Sequence, residues 1–236
     1  MLVTLPIREI AIATPRARIV RLDLDGHGFD YAAGQAVLVG AAGAERRRPY
    51  SIAASPEDAR RDRQLELLVG TDAEGQAGPH LRLEIGAAVD VEGPLGSFTF
   101  PEQPAERNFL FIAGGTGIAP LRAMLRHAIL GASAVNHVGL LYSARTPDEF
   151  AYQDEFHALA ASRMIELRQT ITRDSGHRGH DWTGARGRID RAALADLVHD
   201  PATLCFICGP VAMVDDMPKL LTDIGIARDR IKIEEW

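Results

Sequence analysis

Lysine is almost missing from this chain. Only Lys219 and Lys232 occur, so arginine supplies nearly all of the 26 basic residues. Acidic residues outnumber them, and the net charge of −6 argues against a general nucleic-acid binder. Cysteine is as scarce, with Cys205 and Cys208 alone. Two thiols cannot hold a four-thiolate iron–sulfur cluster or a Cys-only zinc site, so any electron carrier would be organic or belong to a partner. No run of about 18 apolar residues occurs, and no membrane span is expected. The opening MLVTLPIREIAIATP lacks a basic region followed by an apolar core, which makes the cytoplasm the expected location. What remains, 46% hydrophobic and 25% charged over 236 residues, has room for one large domain or two modest ones.

Hydrophobic rhythm divides the chain near residue 102. In ARIVRLDLD, Val20, Leu22 and Leu24 share one face and Arg21, Asp23 and Asp25 the other. Further short strands are expected at about 3–13, 36–41, 49–53, 64–70 and 88–92, between turn-rich segments. This pattern suggests an antiparallel β-barrel over 1–102. From 103 to 236, buried strands at 108–115, 137–145, 165–173, 203–210 and 230–236 alternate with helices beginning near Pro120 and at about 149–161 and 212–224. That order implies a doubly wound α/β domain with a parallel sheet, which places ligands at the carboxyl ends of its strands.

GGTGIAP (114–120) follows a strand and opens a helix. Gly114, Gly115 and Gly117 let a bound group approach the backbone, Pro120 suits a first helical turn, and the helix N-terminus favours phosphate. A ligand-free glycine turn would read the same way. CFICGP (205–210) ends a later strand. Its two cysteines are three apart and face opposite sides of an extended strand, which suits neither a disulfide nor a shared metal. Cys205 reads as a packing residue. His177-x-x-His180-Asp181 has no helical frame to align its imidazoles, so a solvated loop is expected there and no metal.

RRPYSIA (47–53), GPLGSF (93–98), GGTGIAP and CGPVAM (208–213) occur in this order along the chain. Together they resemble the ferredoxin–NADP reductase superfamily of flavoprotein reductases, and the likeness spans essentially the whole chain. The resemblance implies an FAD-binding barrel followed by an NAD(P)-binding domain. It assigns the flavin to Arg48, Pro49, Tyr50, Ser51, Val69, Gly75, Gly78 and Pro79. A guanidinium can pair with the flavin phosphate, a tyrosine ring can cover the isoalloxazine, and the Ser51 hydroxyl can bond near N5. Gly78 stands where the family has Ser or Thr at a helix start. Pro79 still suits such a start, and FAD is kept over FMN.

The resemblance assigns the pyridine nucleotide to Gly115, Thr116, Gly117, Cys208, Gly209 and Met213. It places the Cys208 thiol beside the nicotinamide, has Glu234 orient the nicotinamide or relay protons, and has Trp236 cover the flavin face. Ser51, Cys208, Glu234 and Trp236 are thus the expected catalytic residues. Strand 137–145 ends without a carboxylate, and Arg145, Arg173 and Arg188 are candidates for a 2′-phosphate, which favours NADP with NAD possible. Electrons would pass to a separate one-electron acceptor protein, a ferredoxin, flavodoxin or oxygenase component. Arg46, Arg47, Arg60, Arg61 and Arg63 are a candidate basic docking patch, diluted by Glu45, Asp58 and Asp62. Two other readings stay open: an NAD(P)H:flavin reductase that releases reduced flavin, and a nucleotide-binding redox sensor or regulatory subunit.

Overall fold

The computed structural model describes residues 1–24, 26–131, 135–173 and 182–235. They fall into two compact units: Met1–Phe100 with Arg122–Gly131, and Pro101–Leu121 with the chain from 132 onward.

The first unit is built on β1 (Leu2–Thr14), β2 (Ala17–Asp23), β3 (Ala36–Ala41), β4 (Arg48–Ser51), β5 (Gln64–Gly70) and β6 (Ala88–Leu95). All pair antiparallel in the order β4-β3-β6-β1-β2-β5. Just beyond β4, Ile52 bridges Leu67 of β5, and Ala53 N–H donates to the Glu66 carbonyl at 2.8 Å. These contacts draw the two edge strands together and give the sheet its barrel form. Alternate residues Leu5 and Ile7, Val20 and Leu22, Val37 and Val39, and Leu65, Leu67 and Val69 fill the interior.

The strand rhythm passes over α1 (Pro56–Asp62), although Ser55-Pro56-Glu57-Asp58 carries its start signal. Ser55 Oγ accepts from Asp58 N–H at 3.1 Å, and Pro56 occupies the first helical turn. Two buried carboxylates then hold the segment Arg122–Gly131 to the barrel. Asp58 pairs with Arg126 and with Arg61, while Glu66 takes Arg21 at 2.7 Å and Arg122 at 2.9 Å. Arg122 also donates to the Ala53 carbonyl at 2.7 Å. Burial works against the charge on Asp58, but its bonds to Arg126 and Ser55 and the nearby Arg61 outweigh this and lower its pKa.

The second unit contains β7 (Asn108–Gly114), β8 (His137–Ala144), β9 (Glu166–Ile171), β10 (Ala185–Arg186), β11 (Leu204–Gly209) and β12 (Ile231–Glu235). Every pairing is parallel, in the order β10-β9-β8-β7-β11-β12. The chain moves outward from β7 to β10, then returns to β11 on the other side of β7. That reversal between β7 and β11 is where ligands bind in open α/β sheets. Helix α2 (Ile118–Gly131) begins in this unit and continues as the Arg122–Gly131 segment of the first, and α3 (Gln153–Ala161), α4 (Arg191–Ala195) and α5 (Val211–Asp223) belong to this unit. Cys205 and Ile207 pack with Leu110, Ile112 and the residues of α4 and α5.

Three local expectations change. Strand β10 and helix α4 are too short for their patterns to stand out in the sequence. Helix α3 begins at Gln153, because Pro147–Glu149 forms a separate 3-10 turn and Tyr152 takes φ 58°. No helix follows Pro79. Gly78 adopts φ 95°, its carbonyl accepts from Leu81 N–H at 3.3 Å, and the chain turns inward to bury His80 and Leu81.

Candidate functional site

The expected flavin residues lie in the first unit. Arg48 and Pro49 are exposed at the start of β4, while Tyr50 and Ser51 are buried two residues on. Arg48 engages no carboxylate among the described residues, in contrast to Arg47, which is held by Asp90 at 3.5 Å and Glu92 at 3.3 Å. Tyr50 Oη meets His80 Nε2 at 2.7 Å, and the two rings stack. Burial raises the phenol pKa, with Arg48 opposing part of the rise; burial, then Arg48 and Arg46, lowers that of the imidazole. Both groups are therefore neutral at pH 7, and they share one hydrogen bond.

His80 was not among the residues singled out by sequence. The signal for it is its position in GQAGPHL, two residues after the glycine that departs from the family pattern. Val69 lies wholly within the barrel core, so its side chain serves packing. Gly75 takes φ 81°, and a Cβ there would lie 2.8 Å from Arg18 Nη2.

Buried polar atoms without a hydrogen-bond partner in these segments include Ser51 Oγ, Thr71 Oγ1 and His80 Nδ1, besides Nε of the carboxylate-held Arg47. Each such atom costs about 1–3 kcal/mol if left unsatisfied. Together with the unpaired charge of Arg48 and the Tyr50 ring, they fit a polar aromatic cofactor bearing phosphate. The departure at Gly78 matters, however, because without a helix after Pro79 no helix N-terminus is available there for a pyrophosphate.

The docking patch is corrected. Arg47 is paired as above, Arg60 reaches Asp30 at 3.5 Å, and Arg61 reaches Asp58 at 2.9 Å and Asp62 at 2.7 Å. Arg47, Arg60 and Arg61 are thus paired within the chain and do not add free positive charge to such a patch.

The expected nucleotide residues lie in the second unit at or just beyond the carboxyl ends of the strands. Gly115 takes φ 55° in a 3-10 turn, Gly115–Gly117, that leads directly into α2. Gly117 is buried against β11, and a Cβ there would lie 2.4 Å from the Cys208 carbonyl oxygen. Gly114 and Gly209 also lie against each other, with a Cβ at 209 falling 3.1 Å from the Gly114 backbone. Added Cβ atoms would meet Pro210 Cδ at 2.7 Å and Met213 Sδ at 2.8 Å respectively. Thr116 and Gly115 stay exposed above this contact. Tyr142 Oη, buried at the end of β8, donates to the Gly115 carbonyl at 3.1 Å and accepts from Ala151 N–H at 3.2 Å. Sequence reasoning missed Tyr142, whose only signal is a hydroxyl-bearing aromatic at the end of an otherwise apolar strand.

Cys208 and Glu234 are register partners on β11 and β12, so their side chains leave the same face of the sheet side by side. Cys208 is fully buried and Glu234 half-buried. Both cysteines are free thiols, and burial pushes the Cys205 thiol up to about 12. Trp236, and the His177, His180 and Asp181 motif, lie outside the described residues.

Arg145 and Arg173 leave the adjacent ends of β8 and β9, where Arg173 N–H donates to the Arg145 carbonyl at 2.8 Å. Arg188 follows β10, and Gly187 beside it is tied to β9 through Ile171 O and Thr170 Oγ1, each at 2.8 Å. All three arginines are exposed and pair with no carboxylate among the described residues. Three neighbouring strand ends thus carry one guanidinium each.

Two known domain families match this chain. Residues 4–100 match the oxidoreductase FAD-binding domain family, and residues 111–219 the oxidoreductase NAD-binding domain family. Ferredoxin–NADP reductase B of Sorangium cellulosum is 38% identical over 224 residues, covering 90% of this chain and 88% of that protein. NADPH oxidoreductase of Mycobacterium tuberculosis is 29% identical over 219 residues, covering 89% of this chain and 53% of its relative. The crystal structure of Amycolatopsis cytochrome P450 reductase is similar with a TM-score of 0.81 at 25% identity, covering 99% of this chain and 70% of that one.

Proposed function

Because the chain belongs to the ferredoxin–NADP reductase superfamily of FAD- and NAD(P)-binding oxidoreductases, we propose that it oxidises NADPH and passes the electrons to a separate one-electron acceptor protein. Residues 1–102 are read as the flavin-binding domain and 103–236 as the nucleotide-binding domain. The observation that carries the reading is that Ser51 Oγ, Thr71 Oγ1 and His80 Nδ1 in the flavin segments are buried without partners, while the exposed Arg48 pairs with no carboxylate among the described residues.

Bound FAD supplies an acceptor that takes a hydride as two electrons and gives them up singly. Arg48 would hold a cofactor phosphate, Tyr50 would cover the ring system and Ser51 would hydrogen-bond to its edge. Gly115, Thr116 and Gly117 offer backbone N–H groups to the nucleotide phosphates, and Gly209 and Met213 shape the same switch point. Cys208 and Glu234, adjacent on one sheet face, orient the nicotinamide of NADPH for hydride loss, and Trp236 covers the flavin face that the nicotinamide comes to occupy. Arg145, Arg173 and Arg188 receive the 2′-phosphate.

Stopped-flow reduction by NADPH and NADH in parallel tests the reading. NADPH should be the faster donor, and Arg173→Ala should weaken NADPH selectively. An equal loss for both nucleotides would make Arg173 structural, and failure of either nucleotide to bleach a bound flavin would end the enzyme reading.

One observation favours a second reading. Without a helix after Pro79 to grip the pyrophosphate, the flavin would be held less firmly, as suits an NAD(P)H:flavin reductase that releases its product. Protein that retains no flavin on purification yet reduces added flavin at micromolar levels would establish that reading instead.

A further inference from the structure

Two imidazoles and a carboxylate converge at the amino-terminal edge of the parallel sheet, the opposite edge from the glycine turn. His137 opens β8, Glu166 opens β9, and His199 follows α4. The Nε2 atoms of His137 and His199 lie 3.2 and 3.0 Å from the same Glu166 Oε2, and the two rings meet edge to face. One donor atom from each residue lies within 4.8 Å of the other two.

The sequence builds this meeting point. Gly139 is the register partner of Glu166, and His137 lies two residues before Gly139 on the same face. No side chain stands between the imidazole and the carboxylate, and a Cβ at 139 would lie 3.4 Å from His137 Cε1. Arg168 holds the other carboxylate oxygen, Oε1, at 3.2 Å, which leaves Oε2 to the histidines. The turn carrying His199 is pinned by its neighbour Asp200. That carboxylate accepts from Ala202 N–H at 2.7 Å and Asn108 Nδ2 at 2.9 Å, and the Asp200 carbonyl accepts from Thr203 Oγ1 at 2.6 Å. The three groups therefore stand on two strands and an anchored turn.

We propose that His137, Glu166 and His199 bind a single divalent transition-metal ion, with Zn2+ the best chemical match. Two imidazole nitrogens and one carboxylate oxygen are zinc donors, and a water completes a four-coordinate shell. Hard ions such as Mg2+ and Ca2+ prefer all-oxygen sites and are disfavoured. Modest side-chain rotations would bring the donors to zinc-bonding distances of about 2.0–2.2 Å. Because the candidate nucleotide residues occupy the other ends of the strands, the ion would clamp β8, β9 and the His199 turn without entering hydride transfer.

Calorimetric titration of the untagged, flavin-loaded protein with ZnCl2 tests this, with Co2+ as an optical probe of the site. One Zn2+ per chain should bind and raise the melting temperature, and Co2+ should give visible d–d bands. His199→Ala and Glu166→Gln should each weaken Zn2+ at least roughly tenfold, whereas the double variant His177→Ala/His180→Ala should bind as the parent does. Zn2+ binding no tighter in the parent than in His199→Ala would overturn the proposal. So would binding that is lost with His177 and His180 instead.

Discussion

The candidate flavin residues and the candidate nucleotide residues are built from opposite materials. On β4 and its neighbours, side chains make the site: a free guanidinium, a buried phenol–imidazole pair and hydroxyls without partners. At the ends of β7 and β11 the absence of side chains makes it, since Gly114, Gly117 and Gly209 allow two turns to touch backbone to backbone. The first kind of site is unsatisfied until a ligand arrives. The second is already closed and tolerates almost no added atom.

The largest effect should come from breaking the second kind. Gly117→Val places a Cβ 2.4 Å from the Cys208 carbonyl, and neither backbone can yield cheaply. We expect a stability loss of about 1–3 kcal/mol and near-complete loss of NADPH-dependent flavin reduction, with flavin content retained. Stopped-flow traces and flavin-to-protein ratios would show this. Loss of flavin together with nucleotide turnover would blur the contrast.

Cysteine replacements sharpen the comparison within one strand. Cys208→Ala should slow flavin reduction roughly tenfold or more, the scale of a lost orienting contact. Cys205→Ala should leave that rate intact and lower the melting temperature, since its thiol packs among Leu110, Ile112 and Ile207.

The flavin side predicts effects of opposite sign in the free and loaded protein. Ser51→Ala removes a buried hydroxyl with no partner, so apoprotein stability should hold or rise by up to about 1 kcal/mol. Flavin reduction should nevertheless slow. A clear destabilisation of apoprotein would mean that Ser51 has a structural partner after all.

The smallest effect is a pH dependence. The pKa of Asp58 is lowered in the fold, so its contribution is fully present above the ordinary aspartate value of about 3.9 and is lost as pH falls through the lower folded value. Thermal melts between pH 5 and 3 should show the parent losing more stability than Asp58→Asn, which starts lower at neutral pH.

Residues whose neighbours lie close in sequence were the legible ones. Nearly every long strand was readable from its period, and the glycine turn from its place after an apolar strand. The capped helix α1 escaped because seven residues give too little periodicity to compete with the strands on either side. His80 escaped because its meaning depends on Tyr50, thirty residues earlier. The arginines at 46–63 misled for the same reason. The partners of Arg47 and Arg60 (Asp90, Glu92 and Asp30) are remote in sequence, so charge counting saw free charge there where the fold made pairs.

The Met213 thioether occupies the space that Gly114 and Gly209 leave open, so that added Cβ atoms would lie 3.1 and 2.8 Å from its sulfur. That fit gives the molecule a point of chemical ageing. Conversion to the sulfoxide adds a polar oxygen to a gap sized for bare sulfur, and methionine sulfoxide reductase activity would reverse it.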